Sequence, residues 1–268
     1  ILDEMPEVDA ILGTGNFNEI VSVIKKVLKG NRFSQISAPS FNYRHDLSRN
    51  LDDNPFTYVK IAEGCNNNCA YCVIPQIRGP VNSRPIEDIY KEIESISQTE
   101  VKEIILIAQD ITQYGIDIYE KPALVSLLKK IVNIDNIEWI RLLYSYPERI
   151  SNDLIQLIKK EPKICNYLDL PIQHSSDKIR KKMGRKGKRK NIIELINTLR
   201  NEIQDITLRT SLIVGFPGET EKDFQDLKNF VQKVKFDRLG VFKYSREEGT
   251  AASEFSNQIS EEVKEERY

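Results

Sequence analysis

Three thiols lie within eight residues of one another: Cys65, Cys69 and Cys72, in the run Glu63-Gly64-Cys65-Asn66-Asn67-Asn68-Cys69-Ala70-Tyr71-Cys72. The C-x3-C-x2-C spacing, in a loop rich in Gly and Asn, lets three thiolates wrap one metal centre. A structural zinc ion needs a fourth ligand and usually takes its cysteines as C-x2-C pairs at two places. Only His45, His174 and the distant Cys165 are at hand to supply one. Iron–sulfur clusters are otherwise held by four cysteines, so three thiolates on a four-iron cube leave one iron open for a substrate. That shortfall points to catalysis, whereas a redox or structural iron–sulfur protein would coordinate every iron. A disulfide framework would spread an even number of cysteines through a smaller secreted chain. Cys165, with no cysteine nearby, reads as a small core residue.

A second set of residues stands where apolar strands run out. Gln173 and His174 end one such run, where a buried polar side chain must find a partner; either a structural hydrogen bond or a ligand satisfies that need. Arg209 interrupts an otherwise apolar strand, and an Arg lining a barrel meets an anion. Gln109 is comparable on an earlier strand. Gly215 and Gly218 make neither G-x-G-x-x-G nor GK[ST], and on their own they mark a tight strand-to-helix turn. No side chain is assigned a catalytic role of its own.

The elements that must carry these residues follow from periodicity. Strands are expected at Tyr58–Ala62, Glu103–Ala108, Trp139–Tyr144, Tyr167–Ile172, Ile206–Val214 and Arg238–Tyr244. Helices are expected between them at Pro85–Gln98, Pro122–Val132, Asn152–Lys159, Lys190–Gln204 and Glu219–Val234. Short apolar strands alternating with amphipathic helices predict an α/β fold with a parallel sheet. Six units are fewer than the eight of a full barrel, so the expectation is a partial (β/α)6 TIM-like barrel with its site at the carboxyl ends of the strands. Residues 1–50 read as the remnant of an N-terminal α/β domain plus a linker, and residues 51–268 as the core. Within the first part, Asp9–Leu12 is a strand candidate, Phe17–Leu28 a helix, and Asn31–Pro55 the linker. Ser260–Tyr268 reads as a charged helix start.

Bulk properties exclude several classes. Apolar residues make up 40% and charged residues 29% of 268, an ordinary globular composition. No apolar run approaches the roughly 20 residues of a membrane span, no secretory pattern opens the chain, and the clustered cysteines fit a reducing cytoplasm. The net charge of −1 gives no general attraction to nucleic acid, DNA included. Lys178–Lys190 is the local exception, with nine basic residues and no acidic one. It is either a solvated helix end and loop or a patch for a polyanion such as ribosomal RNA.

With Tyr71 before its last cysteine, the cysteine motif resembles the signature of the radical-SAM superfamily. Five further motifs, in order, look like those of the methylthiotransferases across residues 58–252: Ile77-Arg78-Gly79 with Ser83-Arg84-Pro85, Ala108-Gln109-Asp110, Leu168–His174, Val214–Thr220, and Phe242–Ser245 with Gly249-Thr250. Gln109–Asp117 (QDITQYGID) and Tyr167–His174 (YLDLPIQH) are similar to the RimO type. The transfer-RNA-modifying MiaB type tends to read GQNVNAY and HLPVQSGS. The resemblance implies a 4Fe-4S cluster on Cys65, Cys69 and Cys72 whose open iron binds S-adenosylmethionine, and an external electron donor. It also implies a 5′-deoxyadenosyl radical that serves to place a methylthio group on the β-carbon of an aspartate in ribosomal protein S-12. Family members carry a second cluster in an N-terminal domain and a C-terminal TRAM domain. For cofactor contacts the resemblance implies Tyr71 and Gly215 beside the adenine, Gln173 near the ribose or amino-acid end, and Arg209 or Gln109 at the carboxylate.

Overall fold

The computed structural model describes residues 2–37 and 54–268. The central sheet has six strands: β3 (Phe56–Lys60), β6 (Glu103–Ile107), β7 (Trp139–Leu142), β8 (Ile164–Asp169), β9 (Thr207–Val214) and β10 (Arg238–Lys243), adjacent in that order and all parallel. Among the described residues β3 and β10 do not pair with each other, so the barrel is a partial (β/α)6 TIM-like one, as expected.

Parallel pairing demands crossovers, and amphipathic helices supply them: α3 (Ile86–Ile96), α4 (Leu124–Ile131), α5 (Asn152–Lys160), α7 (Arg189–Glu202) and α8 (Glu221–Val234). Each buries a stripe at helical spacing, for example Ile89, Ile93 and Ile96 on α3 or Ile192, Ile196 and Leu199 on α7. Start signals are chemical. Ser151 accepts from the Leu154 N–H at 3.2 Å, and Thr220 and Asp223 form a reciprocal capping box. In β9 every second residue is buried, Leu208, Thr210, Leu212 and Val214. Arg209, Ser211 and Ile213 on the other face line a cavity, as the period of two requires.

Three expectations shift. β8 spans Ile164–Asp169, three residues earlier than the apolar run suggests. β3 stops at Lys60, and β4 (Ala62–Glu63) leaves it to pair antiparallel with β5 (Asn82–Ser83). Part of the expected linker is β2 (Phe33–Gln35), which pairs parallel with β1 (Ala10–Leu12) beside α1 (Ile20–Val27). Thr14 Oγ1 ties this small unit to the Ile77 carbonyl at 3.0 Å. Ser260–Tyr268 carries a helix start as expected, α9 (Glu261–Arg267), whose Arg267 donates to the buried Glu219 at 2.8 Å. Residues 38–53 of the expected linker, His45 among them, lie outside the described residues.

Candidate active site

The cysteine loop follows β4 and is shaped by close approaches. Gly64 has φ +75°, and a Cβ there would stand 2.0 Å from the Pro80 carbonyl oxygen, so only glycine fits. The Cys65 N–H then donates to the Gly79 carbonyl at 3.1 Å and the Cys72 N–H to the Cys69 carbonyl at 3.0 Å. Asn66 Oδ1 accepts from the Val81 N–H at 3.0 Å. The far side of the loop is gripped by the turn after α6 (Asp177–Lys182). Ala70 N–H donates to the Met183 carbonyl at 2.9 Å, and Gly184 lies so close that a Cβ would be 2.4 Å from the Asn68 carbonyl oxygen. A small satellite core of Ile179, Met183, Phe216, Tyr244 and Ala252 packs beneath, with Tyr71 edge-on to Phe216 at 6.4 Å.

Cys65, Cys69 and Cys72 line one cavity of about 450 Å³ at the carboxyl ends of the strands. Burial pushes the Cys65 thiol up, the Asn67 N–H opposes this, and the charges of Asp110, Cys69 and Cys72 add to the rise. Burial likewise raises Cys72, and burial with the nearby Cys69 raises the Tyr71 hydroxyl well above its usual value. A positive centre among the three sulfurs would reverse that preference for protonation, as bound cations do. Two buried oxygens of the same cavity, Gln109 Oε1 and Ser145 Oγ, have no hydrogen-bond partner. Three thiols with polar atoms left over fit a cluster bearing a small polar ligand. Two of the candidates for a fourth zinc ligand, Cys165 and His174, are engaged elsewhere. Cys165 lines a cavity at the amino ends of the strands with Trp139 and Thr207. Both nitrogens of His174 are engaged, Nε2 with Glu219 Oε1 at 3.0 Å and Nδ1 with the Ser176 N–H at 2.9 Å. Among the described residues no three His, Cys, Asp or Glu side chains surround a single-ion position.

The structure brings Tyr71, Gln109 and Gln173 to this cavity. Tyr71, Gln173 and Tyr144 also line an adjoining cavity of about 440 Å³, and Arg209 belongs to that one. Arg209 Nη1 donates to the buried Asp169 Oδ1 at 2.7 Å, so its immediate anion is a side chain of the protein. Gly215 lines neither. Its φ is +71°, its N–H donates to Glu219 Oε2 at 2.6 Å, and a Cβ would meet Lys264 Cγ at 2.4 Å. The need for glycine here is set by α9. Gln173 has φ +68° and is bridged to β9, its N–H to the Ser211 carbonyl at 2.9 Å and its carbonyl to the Ile213 N–H at 2.8 Å.

Sequence reasoning missed the arginines. Within the basic stretch Arg180 and Arg185 are buried. Arg180 donates to the Ile172 carbonyl at 2.6 Å and pairs with Glu148. Arg185 donates to the Pro171 carbonyl at 2.6 Å and stacks on Tyr146 at 3.8 Å, in the cavity wall. Lys178 is taken by Asp223 at 3.0 Å. Much of the stretch therefore props the cysteine loop and the end of β8. Also missed was a knot of Asn67, Asp110, Gln113 and Arg149 beside Cys65. Only the polar character of Asn67, Asp110 and Gln113, all inside quoted motifs, hinted at it.

Comparison with known proteins agrees with this geometry. The "Ribosomal protein uS12 methylthiotransferase RimO" of Trichlorobacter lovleyi is 50% identical over 268 residues, 99% of this chain and 60% of that protein. The protein of the same name from Geobacter sulfurreducens is 52% identical over 267 residues, again 99% and 60%. The chain thus spans about 60% of the length of these curated relatives. Among solved structures, the radical S-adenosylmethionine methyltransferase TsrM from Kitasatospora setae superposes with TM-score 0.60 at 16% identity, over 76% of this chain and 41% of that one. Coproporphyrinogen III oxidase (HemN) from Escherichia coli does so with TM-score 0.57 at 19% identity, over 80% and 50%. Residues 59–231 match the Radical SAM superfamily, so the cysteine loop and the partial barrel around it place this chain in that superfamily.

Proposed function

We propose that the chain is the core of a RimO-type methylthiotransferase, which adds a methylthio group to the β-carbon of an aspartate in ribosomal protein S-12. The observation that carries this reading is the convergence of three thiols and two partnerless buried oxygens on one cavity at the strand ends. The names and identities of the relatives supply the substrate. Cys65, Cys69 and Cys72 would hold a 4Fe-4S cluster, which with bound S-adenosylmethionine and one electron from an external donor would supply methionine and a 5′-deoxyadenosyl radical. Tyr71 flanks the adenine and is kept upright by Phe216. Gly215 acts through that contact, since its turn carries Phe216 into place. Gln109 and Gln173 take the polar groups of the cofactor, with Gln109 Oε1 already buried and waiting. Arg209 spends Nη1 on Asp169 and has Nη2 left for a carboxylate at the adjoining cavity, where the substrate enters. The walls of Tyr146 and Pro171 would shield the cavity from water, which hydrogen abstraction from an unactivated carbon requires. In this reading residues 51–268 are the catalytic core, and residues 1–50 belong to a neighbouring domain that carries the second cluster. No helix among the described residues is long and apolar enough to cross a membrane, and a ribosomal substrate sets the work in the cytoplasm.

Anaerobic reconstitution tests the reading. One four-iron cluster per chain is expected, lost in Cys65→Ala, Cys69→Ala or Cys72→Ala and kept in Cys165→Ala, with 5′-deoxyadenosine formed on reduction. Stoichiometric zinc without iron uptake refutes it. Deleting the gene should remove the methylthio mass from S-12 and leave transfer RNA unchanged; the opposite pattern assigns the MiaB-type substrate.

A further inference from the structure

Asp110, just past the end of β6, is 4% exposed. Its Oδ1 caps the next turn, accepting from the Thr112 N–H at 3.0 Å and from the Thr112 hydroxyl. Capping needs no more than that. Yet Oδ2 accepts three further donors: Asn67 Nδ2 at 2.9 Å, Gln113 Nε2 at 2.9 Å and Arg149 Nη1 at 2.8 Å. Arg149 Nη2 also donates to Asn67 Oδ1 at 2.8 Å, so the Asn67 amide is held at both ends. Two routes lead on to Cys65 Sγ, the Asn67 backbone N–H at 3.4 Å and Gln113 Nε2 at 3.9 Å. A carboxylate therefore stands one hydrogen-bonding group away from a ligand sulfur, with a guanidinium beside it.

We propose that Asp110 and Arg149 are a positioning pair that fixes Asn67 against Cys65 and sets the reduction potential of the cluster held by that loop. The carboxylate lowers the potential and the guanidinium raises it. This rests on the reading of Cys65, Cys69 and Cys72 as cluster ligands. Potentials of such clusters follow local charge and hydrogen bonds to the sulfurs. Groups behind a ligand orient it, and partly buried charges are weakly screened.

Two variants separate charge from geometry. In Asp110→Asn the amide can turn its carbonyl to the three donors of Oδ2, giving up the Thr112 N–H, so the charge goes and Asn67 stays held. Arg149→Met removes the opposite charge and leaves the Asp110 bonds to Asn67 and Gln113. Iron is counted on the reconstituted chain, and midpoints are then read by potentiometric titration followed by EPR. With iron content unchanged, the midpoint is expected to move positive in Asp110→Asn and negative in Arg149→Met, with Arg149→Lys falling between Arg149→Met and wild type. Unmoved midpoints, or shifts of the same sign in both variants, overturn the proposal. If Asp110→Asn loses iron, Arg149→Met decides alone. A wild-type chain that takes up no iron removes the cluster reading itself, and the proposal with it.

Discussion

Replacing Gly215 by Ala separates two reasons for a glycine at this turn, a backbone that must approach the cofactor and a backbone pressed by α9. At φ +71° an L-residue costs about 1–2 kcal/mol. The new Cβ would also stand 2.4 Å from Lys264 Cγ and 3.3 Å from its Cβ. Those atoms are the stem of the side chain, and Lys264 is pinned, with Nζ on Glu261 at 2.6 Å and 5.3 Å from the Tyr244 ring centre. Overpacking of this kind adds about 1–3 kcal/mol. The sum is about 2–5 kcal/mol, at roughly 2–4 °C of Tm per kcal/mol for a domain of this size class. Thermal and urea melts followed by circular dichroism measure it. In a Lys264→Ala background, which removes Cγ and Cδ but keeps Cβ, the same substitution should cost little more than the backbone part of about 1–2 kcal/mol, so the double-mutant cycle should show a coupling of about 1 kcal/mol or more. Additive effects, or a Gly215→Ala variant as stable as wild type, refute the steric account. Equilibrium dialysis with S-adenosylmethionine gives a second check. If binding falls equally in both backgrounds, cofactor approach is the reason for the glycine.

Two further outcomes are expected. Burial works against ionised Asp223, but hydrogen bonds from Thr220, Lys178 and Ser176 outweigh it and hold the carboxyl well below the usual carboxylate range. A depressed folded pKa gives stability that is present above the unfolded value of about 3.9 and lost as pH falls through the folded one. The Tm gap between wild type and Asp223→Asn should therefore be full above about pH 4 and shrink progressively as pH falls further, and a gap independent of pH refutes this. Tyr144 has φ +59° with an exposed ring. Tyr144→Gly relieves about 1–2 kcal/mol of backbone strain against about 0.5–1 kcal/mol of added chain entropy. Its stability should equal or slightly exceed wild type, and a loss above about 1 kcal/mol in a urea melt would count against the strain.

The strands legible in the sequence were those whose apolar run and hydrogen-bond ladder end together, β6 and β10 among them. β8 was displaced because Leu170-Pro171-Ile172 is apolar for another reason. Leu170 and Ile172 are buried, but Pro171 has no N–H to continue the ladder, and Gln173 turns at positive φ. The three cysteines that line the cavity were legible as a group because they lie in one short stretch. Arg180 and Arg185 were not, because a charge run states nothing about the Glu148 carboxylate and the Pro171 and Ile172 carbonyls that distant segments bring to it. The Asp110 knot joins three loops, and no single window of sequence contains it. Gly215 was marked correctly as a turn, but the side chain that demands glycine lies 49 residues further on, at Lys264.

The bridge between Gln173 and β9 bears on how a ligand would be received. Both backbone groups of Gln173 are committed to Ser211 and Ile213, so the segment after β8 is clamped on either side of its proline bend. Its conformational entropy is surrendered when the barrel folds. A ligand arriving at Gln173 then meets a residue with only its side chain left to order, about 0.5–1.5 kcal/mol for such a group. The neighbouring strand end is held as well, since the Tyr144 N–H donates to Asp169 Oδ2 at 3.1 Å and its carbonyl accepts from the Ile111 N–H at 3.2 Å.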